Sequence, residues 1–166
     1  TTPPSLKQEN RLAKQLKAGV EYYTSMPGGQ RLGSAFVSIR IHATASSNPD
    51  LGTVVNIDGA VVGFQAIVGS PRAEVVTLDS AANGSTRWMR TGFVVAINPK
   101  DNLTRAARMC VKVDYTNRVW GLYCDDIAID EFLPIIVRAA APSVSIQTKT
   151  VNASAILDSL EFVNSL

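Results

Sequence analysis

A chain of 166 residues, 46% hydrophobic and 18% charged, is most simply one domain that buries roughly two-thirds of its unfolded surface. A formal net charge of +2 confers no strong affinity for nucleic acid or membrane, and no apolar run approaches the roughly eighteen residues of a membrane span. Two cysteines are too few for a disulfide scaffold, and no signal peptide is visible.

Charge is unevenly placed along the chain. Residues 1–40 carry Lys7, Arg11, Lys14, Lys17, Arg31 and Arg40 against Glu9 and Glu21, whereas residues 101–131 carry more acidic than basic groups. Ser5 reads as the N-cap of a helix from Leu6 to about Tyr23, with Leu6, Ala13, Leu16 and Val20 at helical spacing. Met26-Pro27-Gly28-Gly29 breaks it, which divides the chain into a basic N-terminal arm and hinge over 1–29 and one β-rich domain over 30–166.

Ser34 to Ala45 alternates, with Val37, Ile39, Ile41 and Ala43 on one face and Ser38, Arg40 and His42 on the other, the signature of a half-buried strand. Asp58-Gly59 between apolar runs signals a hairpin. Short strands follow over Glu74–Asp79 and Thr86–Asn98. Arg108 to Cys124 reads as a second hairpin with Thr116-Asn117-Arg118 at its tip, a register that sets Cys110 opposite Cys124, either bridged or as two thiols. Ile127 to Val137 gives a further strand or two, with Pro134 suited to an edge, and Ser143 to Val151 another. Asn152 caps a closing helix with Ile156, Leu157, Leu160 and Val163 as its apolar stripe. The fold class is therefore all-β: an antiparallel sandwich or jelly-roll barrel of about eight strands, with an N-terminal helix and a short C-terminal helix.

Chemistry is sparse. The chain has one histidine, His42, without a nucleophile elbow, a phosphate-binding glycine loop or a zinc-ligand spacing beside it, so the reading is a non-enzyme. Asp125, Asp126, Asp130 and Glu131 cluster within seven residues. Clustered carboxylates repel unless cations or protons intervene, which makes these four the candidate ligands for a hard cation such as Ca²⁺, with a solvated acidic loop as the plain alternative.

The layout of basic leader, Pro-Gly-Gly hinge, strand-rich body and acidic loop resembles the coat proteins of small icosahedral RNA viruses. That resemblance implies a jelly-roll subunit that self-assembles into a shell in the host cytoplasm and resides in the virion. It also implies that the leader, through Lys7, Arg11, Lys14, Lys17 and Arg31, binds RNA by sequence-independent phosphate neutralisation. The alternative is a non-catalytic β-sandwich binding module for a carbohydrate or protein ligand, using Trp88 or Trp120 as a stacking surface, or a subunit of another structural assembly.

Overall fold

Alternating apolar and polar side chains over short runs, punctuated by turn residues, produce strands almost throughout. The computed structural model describes residues 14–26, 31–80, 84–136, 141–150 and 153–165. These hold twelve strands: β1 (Lys14–Lys17), β2 (Glu21–Ser25), β3 (Ser34–His42), β4 (Thr53–Ile57), β5 (Ala60–Ala66), β6 (Arg72–Ser80), β7 (Thr86–Ala96), β8 (Ala107–Asp114), β9 (Val119–Cys124), β10 (Ile127–Pro134), β11 (Ser143–Thr148) and β12 (Ser154–Ser165). The one helical turn among the described residues is a 3-10 turn at Pro49–Leu51.

The strands form two six-stranded sheets, ordered β1-β12-β3-β8-β9-β10 and β2-β11-β4-β5-β6-β7. All the ladders are antiparallel. The inward side chains of both sheets meet in one core that includes Val37, Ile39, Ile41, Val62, Phe64, Val111, Trp120, Leu122, Ile146 and Leu160. This is an all-β sandwich, as the pattern of short strands predicts, but with more strands and without the helices expected at either end.

Each difference has a local cause. Of the expected N-terminal helix, residues 6–13 lie outside the described residues, and the remainder is β1 and β2. Gly19 turns between them with φ +76°, a left-handed value that interrupts a helix and suits glycine. Leu16 is the buried anchor of β1, and Tyr22 that of β2. The expected 1–29 arm thus contributes β1 to one sheet, against β12, and β2 to the other, against β11. The hinge glycines lie outside the described residues.

The expected closing helix is β12. Its register against β3 shifts between Leu157 and Ser159, leaving Asp158 as the extra residue of a bulge. The bulge changes the inward set from Ala155 and Leu157 to Leu160, so an ordinary strand acquires a three-residue apolar spacing that imitates a helix.

In the β8–β9 hairpin the loop has four residues, not three. The Asp114 carboxylate accepts hydrogen bonds from the Asn117 backbone N–H at 3.1 Å and Nδ2 at 2.8 Å, and Arg118 takes the left-handed φ of +59°. Asp114 therefore pairs with Val119, Cys110 with Tyr123 and Met109 with Cys124. Cys110 faces outward and Cys124 is buried in the core, so the two cannot bridge, and both are free.

A buried ion pair ties three loops together. Asp58, with φ +47° and 2% exposure, receives Arg31 Nε and Nη2 at 2.8 Å each and the Tyr115 hydroxyl at 2.8 Å. The bidentate geometry pushes the Arg31 guanidinium further above its already high value and suits arginine specifically.

Candidate functional site

The two outer faces of the sandwich differ. On the sheet ending in β7, Trp88 lies over Gly63: a Cβ on that glycine would sit 2.9 Å from the indole ring and 3.3 Å from Pro49. The indole Nε1 donates to Asp50 Oδ1 at 3.1 Å. Val61 and Val76, which point outward, are buried as a result. Glu74, 4% exposed, accepts from Arg90 Nε at 3.0 Å and from the Gly92 N–H at 2.9 Å. Much of that face is closed by its own side chains.

The outer face of the other sheet is open and charged. Strand alternation puts Phe36, Ser38, Arg40 and His42 outward on β3, and Arg108, Cys110 and Lys112 outward on β8. Register then places Arg40 directly opposite Arg108, and Phe36 opposite Lys112. Two like charges face to face on adjacent strands are destabilising. Their counter-ions are loose: Arg40 Nε is 3.6 Å from Asp158 Oδ2, and Arg108 Nη1 is 3.6 Å from Asp126 Oδ2. Both distances exceed a hydrogen bond, and exposed pairs of this kind contribute little.

Around this pair opens a cleft of about 580 Å³ lined by Arg40, His42, Arg105, Arg108, Asp125 and Asp158. The β12 bulge aims Asp158 into it, a known use of bulges beside sites. His42 Nδ1 lies 3.0 Å from the Thr104 carbonyl; a carbonyl only accepts, so this nitrogen carries the proton. His42 Nε2 faces Asp158 Oδ2 at 3.3 Å. The Thr104 carbonyl thus fixes the ring orientation, and Nε2 is turned toward the Asp158 carboxylate across the cleft wall.

Farther along the same face lies a second, smaller cleft. Its lining includes Lys112, Asp114, Gly121, Tyr123, Glu131 and Phe132. The Tyr123 hydroxyl donates to Glu131 Oε1 at 3.0 Å. That hydrogen bond, with partial burial second, raises the phenol above its ordinary value. Burial also raises the Cys110 thiol, which lies between the two clefts opposite Tyr123.

The acidic cluster is dispersed by this geometry. Asp125 and Asp126, at φ +49° and +66°, are the two-residue turn between β9 and β10, where aspartate tolerates the left-handed backbone. Asp130 caps the Glu131 N–H at 3.0 Å, and Glu131 is bound to Tyr123. Among the described residues no three His, Cys, Asp or Glu side chains gather as a metal site. The candidate RNA contacts are also separated. Lys7 and Arg11 lie outside the described residues, Lys14 and Lys17 sit on β1 with the Lys14 ammonium 6.0 Å from the Tyr22 ring centre, and Arg31 is engaged by Asp58. Trp120 is 1% exposed, with Nε1 donating to the Pro134 carbonyl at 3.0 Å, so it offers no stacking surface.

No family model matches the chain, and no curated protein matches it by sequence. Solved structures do share its fold. An alginate lyase from Pseudomonas aeruginosa superposes with a TM-score of 0.51 at 10% identity, over 81% of this chain and 66% of the lyase. A sialidase gives 0.57 at 8% identity, over 92% of this chain and 15% of the sialidase. A human galectin-16 variant gives 0.51 at 13% identity, over 87% and 95%. The chain thus spans less than two-thirds of the first two proteins and nearly all of the third. None of the three is a viral coat protein, and at these identities the likeness is one of fold.

Proposed function

We propose that this chain is a non-catalytic carbohydrate-binding module whose ligand lies on the open face formed by β12, β3, β8, β9 and β10. The observation that carries this reading is the Arg40–Arg108 pair, two arginines at directly opposed strand positions that line an open polar cleft, each with only a loose counter-ion. A ligand bearing hydroxyl or carboxylate oxygens relieves that repulsion by accepting hydrogen bonds from both. Pockets for apolar small molecules are lined mainly by hydrophobic side chains; this cleft alternates donors and acceptors, which matches a polyhydroxylated ligand. The fold supports the same class, since it recurs in an alginate lyase and a sialidase, both named for carbohydrate substrates.

The coat-protein reading draws less support. Lys14 and Lys17 lie within the sandwich edge, and Arg31 is internally paired, which leaves fewer of the basic groups assigned to a free RNA-binding arm.

A glycan array probed with the purified chain tests the proposal. Binding to a defined set of glycans is expected. The double variant Arg40→Ala, Arg108→Ala should abolish it while leaving the melting temperature within a few degrees. Retention of full binding by that variant would place the ligand elsewhere, and a blank array would remove the carbohydrate reading.

A further inference from the structure

Resting on the carbohydrate reading, we infer that the ligand is an oligosaccharide running along β8 and β9, and that the cleft beside Phe132 is a second sugar subsite with Phe132 as its aromatic wall. Arg108 and Lys112 lie on the same side of β8, four residues apart, which spans about 13 Å at the rise of a strand. The outward row Ser38–Cys110–Tyr123 lies between them on the same surface. A single sugar cannot reach both clefts, whereas a chain of several can.

Two features of the second cleft lack an explanation inside the fold. The first is Gly121, in the middle of β9 opposite Lys112. A Cβ there would meet the Asp130 carbonyl at 3.6 Å and the Tyr123 ring at 3.6 Å, which is ordinary contact, so neither crowding nor backbone conformation demands glycine. Glycine inside a strand weakens it by roughly 0.5–1 kcal/mol. Its effect here is to leave the floor of the cleft unfilled.

The second is Phe132. It holds φ +61°, a genuine outlier for a bulky side chain, and is 79% exposed, so its own burial does not offset the strain. It sits where the β10 register shifts between Asp130 and Leu133. A bulge on an edge strand thus turns an aromatic ring outward at the rim of a cavity whose opposite wall is Lys112 and Tyr123. Strain of this sort concentrates at ligand contacts. Aromatic walls with an ammonium and a carboxylate between them provide a face for the C–H side of a sugar ring and hydrogen bonds for its hydroxyls.

The test is a size-graded array carrying uronic acid, neutral hexose and N-acetylhexosamine oligosaccharides of one to six units, with dissociation constants of the binding series measured by calorimetry. Affinity should rise about three- to ten-fold between monomer and tetramer, the gain of one aromatic contact. Phe132→Ala and Gly121→Ala should each remove that rise while leaving circular dichroism unchanged. Equal affinity for short and long oligomers, or a length dependence that survives Phe132→Ala, overturns the second subsite and leaves the carbohydrate reading standing. No binding by any probe overturns both.

Discussion

The two outer faces of this sandwich are built from the same kind of strand and end in opposite conditions. On one, Trp88, Pro49 and the Glu74–Arg90 pair cover outward-pointing valines until these are as buried as core residues. On the other, Arg40 and Arg108 face each other, Gly121 leaves a gap, and Phe132 points its ring into water. A face that only had to be soluble would gain from removing that repulsion and filling that gap. That local disadvantage, and no sequence motif, is the reason for proposing a ligand on the open face.

Both faces rest on one core. Trp120→Ala should destabilise by about 3–5 kcal/mol, since the indole is fully enclosed and its N–H is bonded; thermal unfolding measures this, and a loss below about 1 kcal/mol would contradict the burial of Trp120 between the sheets. Asp58→Ala removes the carboxylate that accepts from Arg31 and from the Tyr115 hydroxyl and should cost about 1.5–3 kcal/mol, read as a shift in the urea midpoint.

Cys124 supplies an alkaline signature of the core. Burial, with the nearby Asp125 carboxylate second, pushes its thiol from an ordinary value of 9.0 up to about 12. The folded-state value is raised, so this stability is fully present below pH 9 and is lost as pH rises toward 12. At about pH 10.5 the loss should be on the order of 2 kcal/mol relative to about pH 8, and Cys124→Ala should show a smaller difference between the same two conditions.

On the closed face the telling substitution is Gly63→Ala. The new Cβ would overlap the Trp88 ring, and displacing that roof should cost about 1–3 kcal/mol without changing glycan binding. The open face should behave in reverse. Arg40→Ala should alter stability by no more than about 0.5 kcal/mol and yet reduce binding. Chemical denaturation and calorimetry on the two variants separate the faces.

How far the sequence reveals this follows from particular residues. The alternation of Val37, Ile39 and Ile41 with Ser38, Arg40 and His42 identifies β3 and its outward face directly, because one side of that strand is buried and the other is not. The β8–β9 hairpin is legible as a hairpin, but its register depends on Asp114 capping Asn117, a single side-chain contact that lengthens the loop and turns Tyr123 to the open face. The β12 strand reads as a helix because the bulge at Asp158 respaces its apolar residues. The site itself is formed by cross-strand neighbours such as Arg40 and Arg108, which are 68 positions apart; periodicity reports which face each residue takes and is silent on what stands opposite. The acidic run drew notice by its density, although two of its members serve a tight turn.

The pairing of β1 and β2 with β12 and β11 has a kinetic consequence. Lys14 lies opposite Leu157, and Tyr22 opposite Ile146, so the earliest described strands find their partners among the last. Loops of that length close slowly, and proteins dominated by such contacts fold over milliseconds to seconds. During synthesis, β3 and β4 also wait for β12 and β11, with one edge of each unpaired in the meantime. Nascent chains are then most prone to edge-to-edge association just before β11 emerges, and slower translation of the last segment should lower soluble yield without altering the stability of the finished protein.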